Sequence, residues 1–341
     1  MPNPRQAVEQ PLSQLAHLAT EARNPASEHI DSLSTLDMLR VINDEDARVA
    51  SAVAAELPQI AAAVDAIAAR FAQGGRLFYI GAGTSGRLGV LDASECPPTF
   101  SVPGTLFQGL IAGGDSALRT SSEATEDLAT QGAADLTAAG FGLSPTGERV
   151  PDTLIGIAAS GRTPYVLGAL AYARSVGDQN FVGDQTSGAD PASLRALTIG
   201  LSCVAGSPVA LQADIPITPL VGPEVLTGST RMKAGTATKL VLNMLSTGVM
   251  IKTGAVYGNL MVNVQPTNAK LVDRAQRIIM AATGVDQATA ADLLRRAGSV
   301  KTAIVMQELS LDRAAAEVRL SEAHGRLATA LQPGLTPEQR R

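Results

Sequence analysis

The stretch Leu77-Phe-Tyr-Ile-Gly-Ala-Gly-Thr-Ser-Gly-Arg-Leu-Gly-Val-Leu91 decides how this chain folds. It opens with a short apolar run of β-forming residues, continues through three glycines, and from Leu88 onward has the apolar spacing of a helix. The pattern predicts a strand, a tight loop and a helix. Because the first amides of a helix point out of its end, where the helix dipole is positive, such a loop can hold an anion. We therefore interpret it as a phosphate-binding loop.

The glycine spacing of this loop leaves two other interpretations open. Residues 81–86 also fit the fingerprint G-x-G-x-x-G of dinucleotide-binding proteins, which requires an acidic residue about 20 positions later. Residues 97–114 contain no Asp or Glu, and the hydroxyls of Thr84 and Ser85 suit the free oxygens of a phosphomonoester. The sequence therefore favours a sugar phosphate over NAD. Taken alone, the loop could also be a turn that only packs the strand against the helix.

A second stretch, Thr153-Leu-Ile-Gly-Ile-Ala-Ala-Ser-Gly-Arg-Thr-Pro164, repeats the design. Its apolar half predicts a strand that runs into a loop of small and hydroxyl residues, and Pro164 suits the first turn of a helix. Loops at the carboxyl ends of parallel strands can converge on one ligand, in the crevice where open α/β sheets bind. The candidate anion-binding residues of the two loops are Gly83, Thr84, Ser85, Ser160, Gly161, Arg162 and Thr163.

The composition argues for a small-molecule ligand. The 341 residues are 45% hydrophobic and 17% charged, which predicts one large domain or one domain with appendages. A net charge of -5 with no run of Lys or Arg disfavours nucleic acid and membrane surfaces as partners. No apolar run reaches the roughly 18 residues of a membrane helix, and the first 30 residues contain no signal-peptide pattern. We expect a cytoplasmic protein.

Histidine and cysteine usage limits the chemistry. The three histidines are His17, His29 and His324, so no imidazole is available between residues 30 and 323. Proton transfer there must fall to Asp, Glu, Lys, Tyr or Cys. Cys96 and Cys203 are neither in a C-x-x-C motif nor beside a histidine, so we expect no disulfide and no zinc site.

Strands and helices alternate along the chain, which predicts a parallel sheet with helices on both faces. The polar, glycine-rich residues 177–192 predict a surface insertion, and residues 1–20 a loosely held arm. Further strands are expected at 106–111, 198–203 and 215–220. Helices are expected from Ser34 or Thr35, over 58–73, over 116–134, from Pro164, over 228–252, and beyond Pro266 to about residue 330 with breaks at Gly284 and Gly298.

Four charged residues stand out beside the loops. Arg231 and Lys233 lie near the predicted start of the helix 228–252, where the helix dipole disfavours positive charge. Either they belong to a site or they point to solvent. Glu95 follows the first loop's helix and precedes two prolines, so a short helix could return it to the crevice. Glu126 lies three residues after Glu123, a spacing that places both on one helix face, although a solvated charge is the ordinary alternative for each.

Four motifs in order resemble those of the N-acetylmuramic acid 6-phosphate etherase family, a bacterial branch of the sugar isomerase (SIS) fold. The resemblance covers residues from about 20 to 325. It departs only in the arm and in the insertion 177–192, which could affect access to the crevice. The motifs are Gly81-Ala-Gly-Thr-Ser-Gly-Arg-Leu-Gly, Asp92-Ala-Ser-Glu-Cys-Pro-Pro, Ala158-Ala-Ser-Gly-Arg-Thr-Pro-Tyr and Gly228-Ser-Thr-Arg-Met-Lys-Ala-Gly-Thr-Ala.

The resemblance implies a fold and an activity. The fold is a doubly wound, flavodoxin-like SIS domain at 56–255, with an N-terminal arm and helix at 1–55 and a C-terminal helical region at 256–341. The family cleaves the lactyl ether of N-acetylmuramic acid 6-phosphate to N-acetylglucosamine 6-phosphate and D-lactate during cell-wall sugar recycling, without a metal or organic cofactor. Its two catalytic glutamates correspond to Glu95 and Glu126, and SIS domains commonly form homodimers.

The implied chemistry fits the residues available. In the open-chain sugar the C2 proton is α to the C1 aldehyde, so one carboxylate can remove it while a protonated carboxyl assists loss of lactate from C3. We assign Glu126 as the base and Glu95 as the acid, with an exchange of roles left open. The two loops would hold the 6-phosphate, with Arg231 and Lys233 as further candidate substrate ligands. Two alternatives remain: an aldose–ketose isomerase for a hexosamine phosphate, and a non-enzymatic sugar-phosphate sensor.

Overall fold

A computed structural model describes residues 20–120, 125–178 and 195–332 of the chain. These residues form two compact units. The first comprises the residues up to Ala93 together with Phe107–Leu245, and the second comprises Ser94–Leu106 together with the residues from Ser246 onward. The three ranges proposed from the sequence as domains divide the chain differently and stay a prediction.

The first unit is built on a five-stranded parallel sheet. The strands lie in the order β2-β1-β3-β4-β5, and each neighbouring pair is parallel. This is the flavodoxin-like order of doubly wound α/β folds, so the predicted fold class is confirmed. The strands are β1 (Leu77–Gly81), β2 (Phe107–Ile111), β3 (Thr153–Ile157), β4 (Leu197–Leu201) and β5 (Ile215–Ile217).

Helices cover the sheet on both faces. Every residue of β1, β3 and β4 is buried, and since successive side chains of a strand point to opposite faces, neither face is open to solvent. The helices that begin in this unit are α1 (Thr35–Asp46), α2 (Val49–Ala54), α3 (Leu57–Phe71), α4 (Gly83–Phe100), α5 (Ala129–Ala138), α6 (Pro164–Asp178), α7 (Pro208–Gln212) and α8 (Lys233–Lys252). Helix α6 packs on the three central strands and on α5.

Several predicted helix ends are confirmed. The hydroxyl of Ser34 accepts the amide of Asp37 and caps α1. Helix α3 ends at Phe71, shortly before Gly74, and α6 begins at Pro164.

Among the described residues no single helix is long and apolar enough to cross a membrane. The bent pair Thr35–Ala54 and Leu57–Phe71, taken together, is long and apolar enough by length and composition alone.

Two predicted helices have the wrong extent. Helix α4 does not end before the prolines but continues through Pro97 and Pro98 to Phe100, whose side chain is buried. The packing of this end therefore outweighs the cost of the two backbone hydrogen bonds that the prolines cannot donate. The range 116–134 is not one helix: it holds a 3-10 turn at Asp115–Leu118 and the start of α5 at Ala129. Glu126 consequently lies in a turn and not on a helix face.

A third helix starts later than predicted. Residues 228–232 are not helical, and α8 begins at Lys233. The carboxylate of Glu224 accepts the amides of Lys233 and Ala234, at 2.9 Å each, and so fixes the first turn at that point. Gly228 has a φ of +78°, which lies outside the helical region. Residues 1–19, 121–124 (including Glu123) and 179–194 lie outside the described residues, so the arm, the Glu123–Glu126 pair and nearly all of the insertion are not tested.

The second unit is mainly helical. It contains a hairpin of two antiparallel strands of two residues each, β6 (Val256–Tyr257) and β7 (Leu260–Met261), followed by five helices around a shared apolar core. Gly284 and Gly298 both adopt the left-handed conformation that ends a helix, so the two predicted breaks are confirmed. The helices are α9 (Ala269–Thr283), α10 (Gln287–Ala297), α11 (Val300–Leu309), α12 (Arg313–Glu322) and α13 (Leu327–Ala330).

Candidate active site

A pocket of about 250 Å³ lies in the first unit where β1 and β3 end. These strands are neighbours in the sheet although β2 lies between them in the sequence, so the strand order reverses here. Open α/β sheets bind their ligands at such a switch point. The pocket is lined by residues of the loops 82–85 and 158–163, by residues of the segment 228–238, and by Glu21 and Glu126.

The first loop presents a helix N-terminus to this pocket. Gly83, Thr84 and Ser85 line it, and all three are half-buried. They form the first turn of α4, where amides have no acceptor within the helix and the helix dipole is positive. Backbone donors and two hydroxyls therefore face the same space, as a phosphate requires.

The second loop supplies further hydroxyls. Ser160 and Thr163 line the pocket, and the chain turns between them at Gly161, whose φ is +66°. A Cβ atom at this glycine would lie 2.2 Å from the Oγ of Ser207, so no other residue fits without displacing that serine. The carbonyl of Gly161 accepts the amide of Val209 at 3.0 Å, which fixes the loop against the start of α7.

Glu126 reaches the pocket because of helix packing. Its carbonyl oxygen accepts the amide of Tyr165 at 3.0 Å, directly after the second loop. The hydroxyl of Tyr165 donates to Asp135 on α5, at 2.7 Å, and so joins α5 to α6 at the same place. Glu126 lines the pocket and is half-buried. The structure thus brings a carboxylate to the two predicted phosphate loops.

The segment 228–238 forms a third wall of the pocket, but through other residues than the two cations that stand out in the sequence. Thr230, Gly235 and Thr238 line the pocket, whereas Arg231 is exposed and Lys233 is only 1% exposed, and neither lines it. The cations mark the motif in the sequence, whereas its small and hydroxyl residues line the pocket. The same small and hydroxyl pattern marks the two strand loops, and it was the usable signal.

Lys233 is explained by a buried ion pair. Its Nζ lies 2.5 Å from the Oε2 of Glu45 on α1, and the Nδ2 of Asn24 donates to the same oxygen at 2.8 Å. Burial by itself would raise the pKa of Glu45, but the bonds from Lys233 and Asn24 outweigh it and hold that pKa below its ordinary value. The charge that breaks the helix-dipole rule is neutralised by Glu45, while Glu224 caps the helix.

The remaining predicted residues lie elsewhere. Gly161 and Arg162 belong to the second loop but are not among the lining residues. Glu95 lies on α4 in the second unit and is exposed, twelve residues along an 18-residue helix that begins at Gly83. Glu95 is not among the residues that line the pocket. Its catalytic role stays a prediction.

Glu21 is the residue that sequence reasoning missed. It is the second of the described residues, in a stretch for which the sequence analysis predicts neither a helix nor a strand, and it lines the pocket beside Gly228. A Cβ atom on Gly228 would lie 3.2 Å from the Oε2 of Glu21. No periodicity marks this glutamate in the sequence, because a turn and not a helix or strand holds it.

The pocket is polar without being cationic. Of the described residues that line it, none is Lys, Arg or His, and its two charged side chains are both carboxylates. No cluster of three His, Cys, Asp or Glu suited to a metal occurs in the described part of the chain. Burial, reinforced by Glu224, raises the pKa of the Cys203 thiol to about 12, so this thiol is neutral near pH 7 and is not a base.

A larger cavity, of about 540 Å³, lies in the second unit. Residues 97–103 and 264–274 line it, and Arg274 is the charged side chain among them. The described residues that line it include no carboxylate and none of the predicted site residues. The smaller pocket is therefore the candidate active site on chemical grounds, since it alone of the two combines anion-binding loops with a carboxylate.

Comparison with known proteins agrees with the α/β fold described above. The sequence model of the glucokinase regulatory protein N-terminal SIS domain matches residues 59–174. The N-acetylmuramic acid 6-phosphate etherase of Aeromonas hydrophila subsp. hydrophila is 54% identical over 91% of this chain and 96% of its own length. The protein of the same name from Cronobacter sakazakii is 52% identical over 94% of this chain and 99% of its own.

A solved structure, the Vibrio vulnificus NanR protein complexed with ManNAc-6P, aligns with 73% of this chain and 72% of its own at 14% identity, with a TM-score of 0.36. The two etherases match at more than 50% identity over more than nine tenths of each chain. On that identity and coverage, the chain belongs to the N-acetylmuramic acid 6-phosphate etherase family.

Proposed function

We propose that this chain cleaves the lactyl ether of N-acetylmuramic acid 6-phosphate, giving N-acetylglucosamine 6-phosphate and D-lactate. One observation carries the proposal: a single pocket combines the carboxylate of Glu126 with two loops that present backbone amides and hydroxyls suited to a phosphate. Family membership supports the same substrate, because the relatives that match nearly the whole chain are named for this activity. The reaction belongs to the recycling of cell-wall amino sugars.

The phosphate is held by neutral donors. The amides of Gly83, Thr84 and Ser85 and the hydroxyls of Ser160 and Thr163 would donate to its free oxygens. A hydrogen bond to a charged acceptor contributes about 1.5 to 3 kcal/mol, so several together bind a phosphate without Lys or Arg. We place the sugar chain between these donors and Glu126, because all of them line the same pocket.

The carboxylates then act in sequence. In the open-chain sugar Glu126 removes the C2 proton, the C2–C3 double bond forms, and the C3–oxygen bond breaks as lactate leaves. Glu95, protonated, donates a proton to the leaving oxygen. Water next adds its oxygen to C3 and a proton returns to C2, which restores a saturated aldehyde. One base and one acid suffice for these steps, so we propose that the enzyme uses no metal or organic cofactor.

Heavy-oxygen water tests the proposed function directly. If elimination precedes hydration, N-acetylglucosamine 6-phosphate formed in this water carries the label at C3 and the released lactate carries none, because the bond that breaks is between C3 and oxygen. Mass spectrometry of both products gives the answer. Labelled lactate would show direct hydrolysis at the lactyl carbon instead. Isomerised substrate without lactate would identify an isomerase, and unchanged substrate a sensor.

Ser160→Ala tests the phosphate-binding loops. We expect it to weaken binding of N-acetylglucosamine 6-phosphate roughly ten- to hundredfold, as loss of one hydrogen bond of about 1.5 to 3 kcal/mol to the charged phosphate requires. The unphosphorylated sugar should bind poorly to both forms. Titration calorimetry with both sugars measures this, and Ser175→Ala, an exposed serine on α6, is the matched control. Equal affinity of the wild type for the two sugars would contradict the assignment of the loops.

We also propose that the chain forms a homodimer in the cytoplasm. Leu36 and Leu39 on α1 are 58% and 52% exposed, and Leu57 on α3 is 47% exposed, as apolar side chains at an interface would be. Sedimentation at micromolar concentration should give twice the 35.0 kDa of one chain, and a single-chain mass would contradict the dimer.

The proposed location in the cytoplasm rests on the charge of the substrate. A phosphorylated sugar does not cross a membrane freely, which favours an enzyme in the compartment where that sugar is made.

A further inference from the structure

We propose that Glu21 binds the sugar part of the substrate, by accepting hydrogen bonds from its hydroxyl or amide groups. This inference rests on the function proposed above. Glu21 is the second carboxylate in the lining of the pocket, and its Oε2 lies close to Gly228 in the third wall. None of the hydrogen bonds and ion pairs seen within residues 20–120, 125–178 and 195–332 engages its carboxylate, so its acceptor capacity is open to a ligand.

Charge decides which part of the substrate Glu21 can contact. An ionised carboxylate only accepts hydrogen bonds, and it repels a phosphate and a lactyl carboxylate, which are both negative. The sugar hydroxyls and the acetamido N–H are the donors that the substrate offers. Glu21 therefore complements the sugar, whereas the loops 82–85 and 158–163, which present donors, complement the phosphate.

The segment that carries Glu21 is anchored by buried polar contacts. Asn24, 7% exposed, accepts the amide of Ala26 at 2.9 Å and donates to the carbonyl of Pro223 at 3.1 Å. The hydroxyl of Ser27 donates to the carbonyl of Val225 at 2.7 Å. These contacts fix the backbone three and six residues after Glu21, which is itself exposed where it lines the pocket.

The same network reaches the pocket wall. Asn24 also donates to Glu45, and Glu45 pairs with Lys233, the first residue of α8. Gly235 and Thr238, on the first turns of α8, line the pocket. The buried pair therefore joins the Glu21 segment and the third wall into one unit of structure.

The test compares a sugar phosphate with inorganic phosphate. Glu21→Ala should weaken binding of N-acetylglucosamine 6-phosphate roughly ten- to hundredfold, as loss of hydrogen bonds to a charged group implies, and Glu21→Gln should weaken it less. Inhibition by inorganic phosphate should change less than about twofold, since the loops are intact. The exposed neighbour Glu28 supplies the control variant, Glu28→Gln, and thermal unfolding checks that each variant is folded.

The outcomes separate this inference from the proposed function. If the wild type releases no lactate, the proposed function is wrong, and the binding comparison still tests Glu21. If the wild type releases lactate but Glu21→Ala binds the sugar phosphate normally, the role of Glu21 is overturned alone. Equal weakening of both ligands would show a distorted pocket, and loss of kcat at unchanged affinity would make Glu21 an acid or base; either result overturns the sugar-binding role.

Discussion

Replacing Glu126 by glutamine is expected to lower lactate release by about two to four orders of magnitude, the range that a general base contributes. The change keeps the size of the side chain and leaves the backbone bond from Tyr165 to the carbonyl of residue 126 in place. The loss therefore reflects chemistry and not folding. Exchange of the C2 proton in deuterated water should disappear together with turnover, because no other base removes that proton in our mechanism.

The neighbouring Asp127 provides the control for this experiment. It is exposed in the same turn and does not line the pocket, so Asp127→Asn should keep normal rates. Glu95→Ala should stop lactate release and still permit slow C2 exchange, since proton removal needs only the aldehyde and the base. Exchange that survives in Glu126→Gln but is lost in Glu95→Ala would reverse the assignment of acid and base. Near-normal lactate release would remove the residue concerned from the mechanism.

Adding one methyl group at Gly132 is expected to damage both stability and activity. A Cβ atom there would lie 1.9 Å from the carbonyl oxygen of Tyr165, and one at Gly168 would lie 1.9 Å from that of Ala129. Backbone atoms cannot rotate away as side chains do, so α5 and α6 must separate. We expect Gly132→Ala and Gly168→Ala each to cost about 1 to 3 kcal/mol or more. Activity should fall as well, because the Tyr165–Glu126 bond lies at this crossing.

Thermal unfolding and lactate assays measure the two effects of these glycine substitutions. Gly104→Ala is the matched control, since Gly104 has open space around its Cβ position and no positive φ. It should leave the unfolding midpoint and the rate nearly unchanged. Full activity in a destabilised Gly132→Ala would show that the helix crossing does not position Glu126.

Local patterns predicted the sheet and two walls of the pocket. The stretches after Leu77 and Thr153 each combine β-forming residues with a glycine and hydroxyl loop, so the two strands and their loops follow from short-range sequence alone. The strand order is not local, but alternation of strands and helices restricts it to few topologies. The C-terminal helices were equally accessible, because Gly284 and Gly298 end them by their own backbone preference.

Residues placed by long-range contacts were beyond that reasoning. The charge of Lys233 at a predicted helix start suggests a substrate ligand, but its partner is Glu45. Glu45 lies 188 positions earlier, and no local pattern connects the two residues. The spacing of Glu123 and Glu126 predicts a helix face, whereas the bond from the Tyr165 amide holds Glu126 in a turn. Glu21 lacked any periodic neighbour. In each case the deciding interaction joins segments that the sequence does not show to be adjacent.

The pairing of β1 with β3 has a consequence for how the protein matures. The two predicted phosphate loops are separated by the whole of β2 and α5, and the third wall follows only at residues 228–238. Non-local parallel pairing is slow, because the entropy of closing long loops must be overcome before contacts form. A growing chain that ends before residue 238 therefore lacks part of the pocket. Substrate stabilises only a form that can bind it, so it can protect the first unit against unfolding and degradation only after that segment has docked.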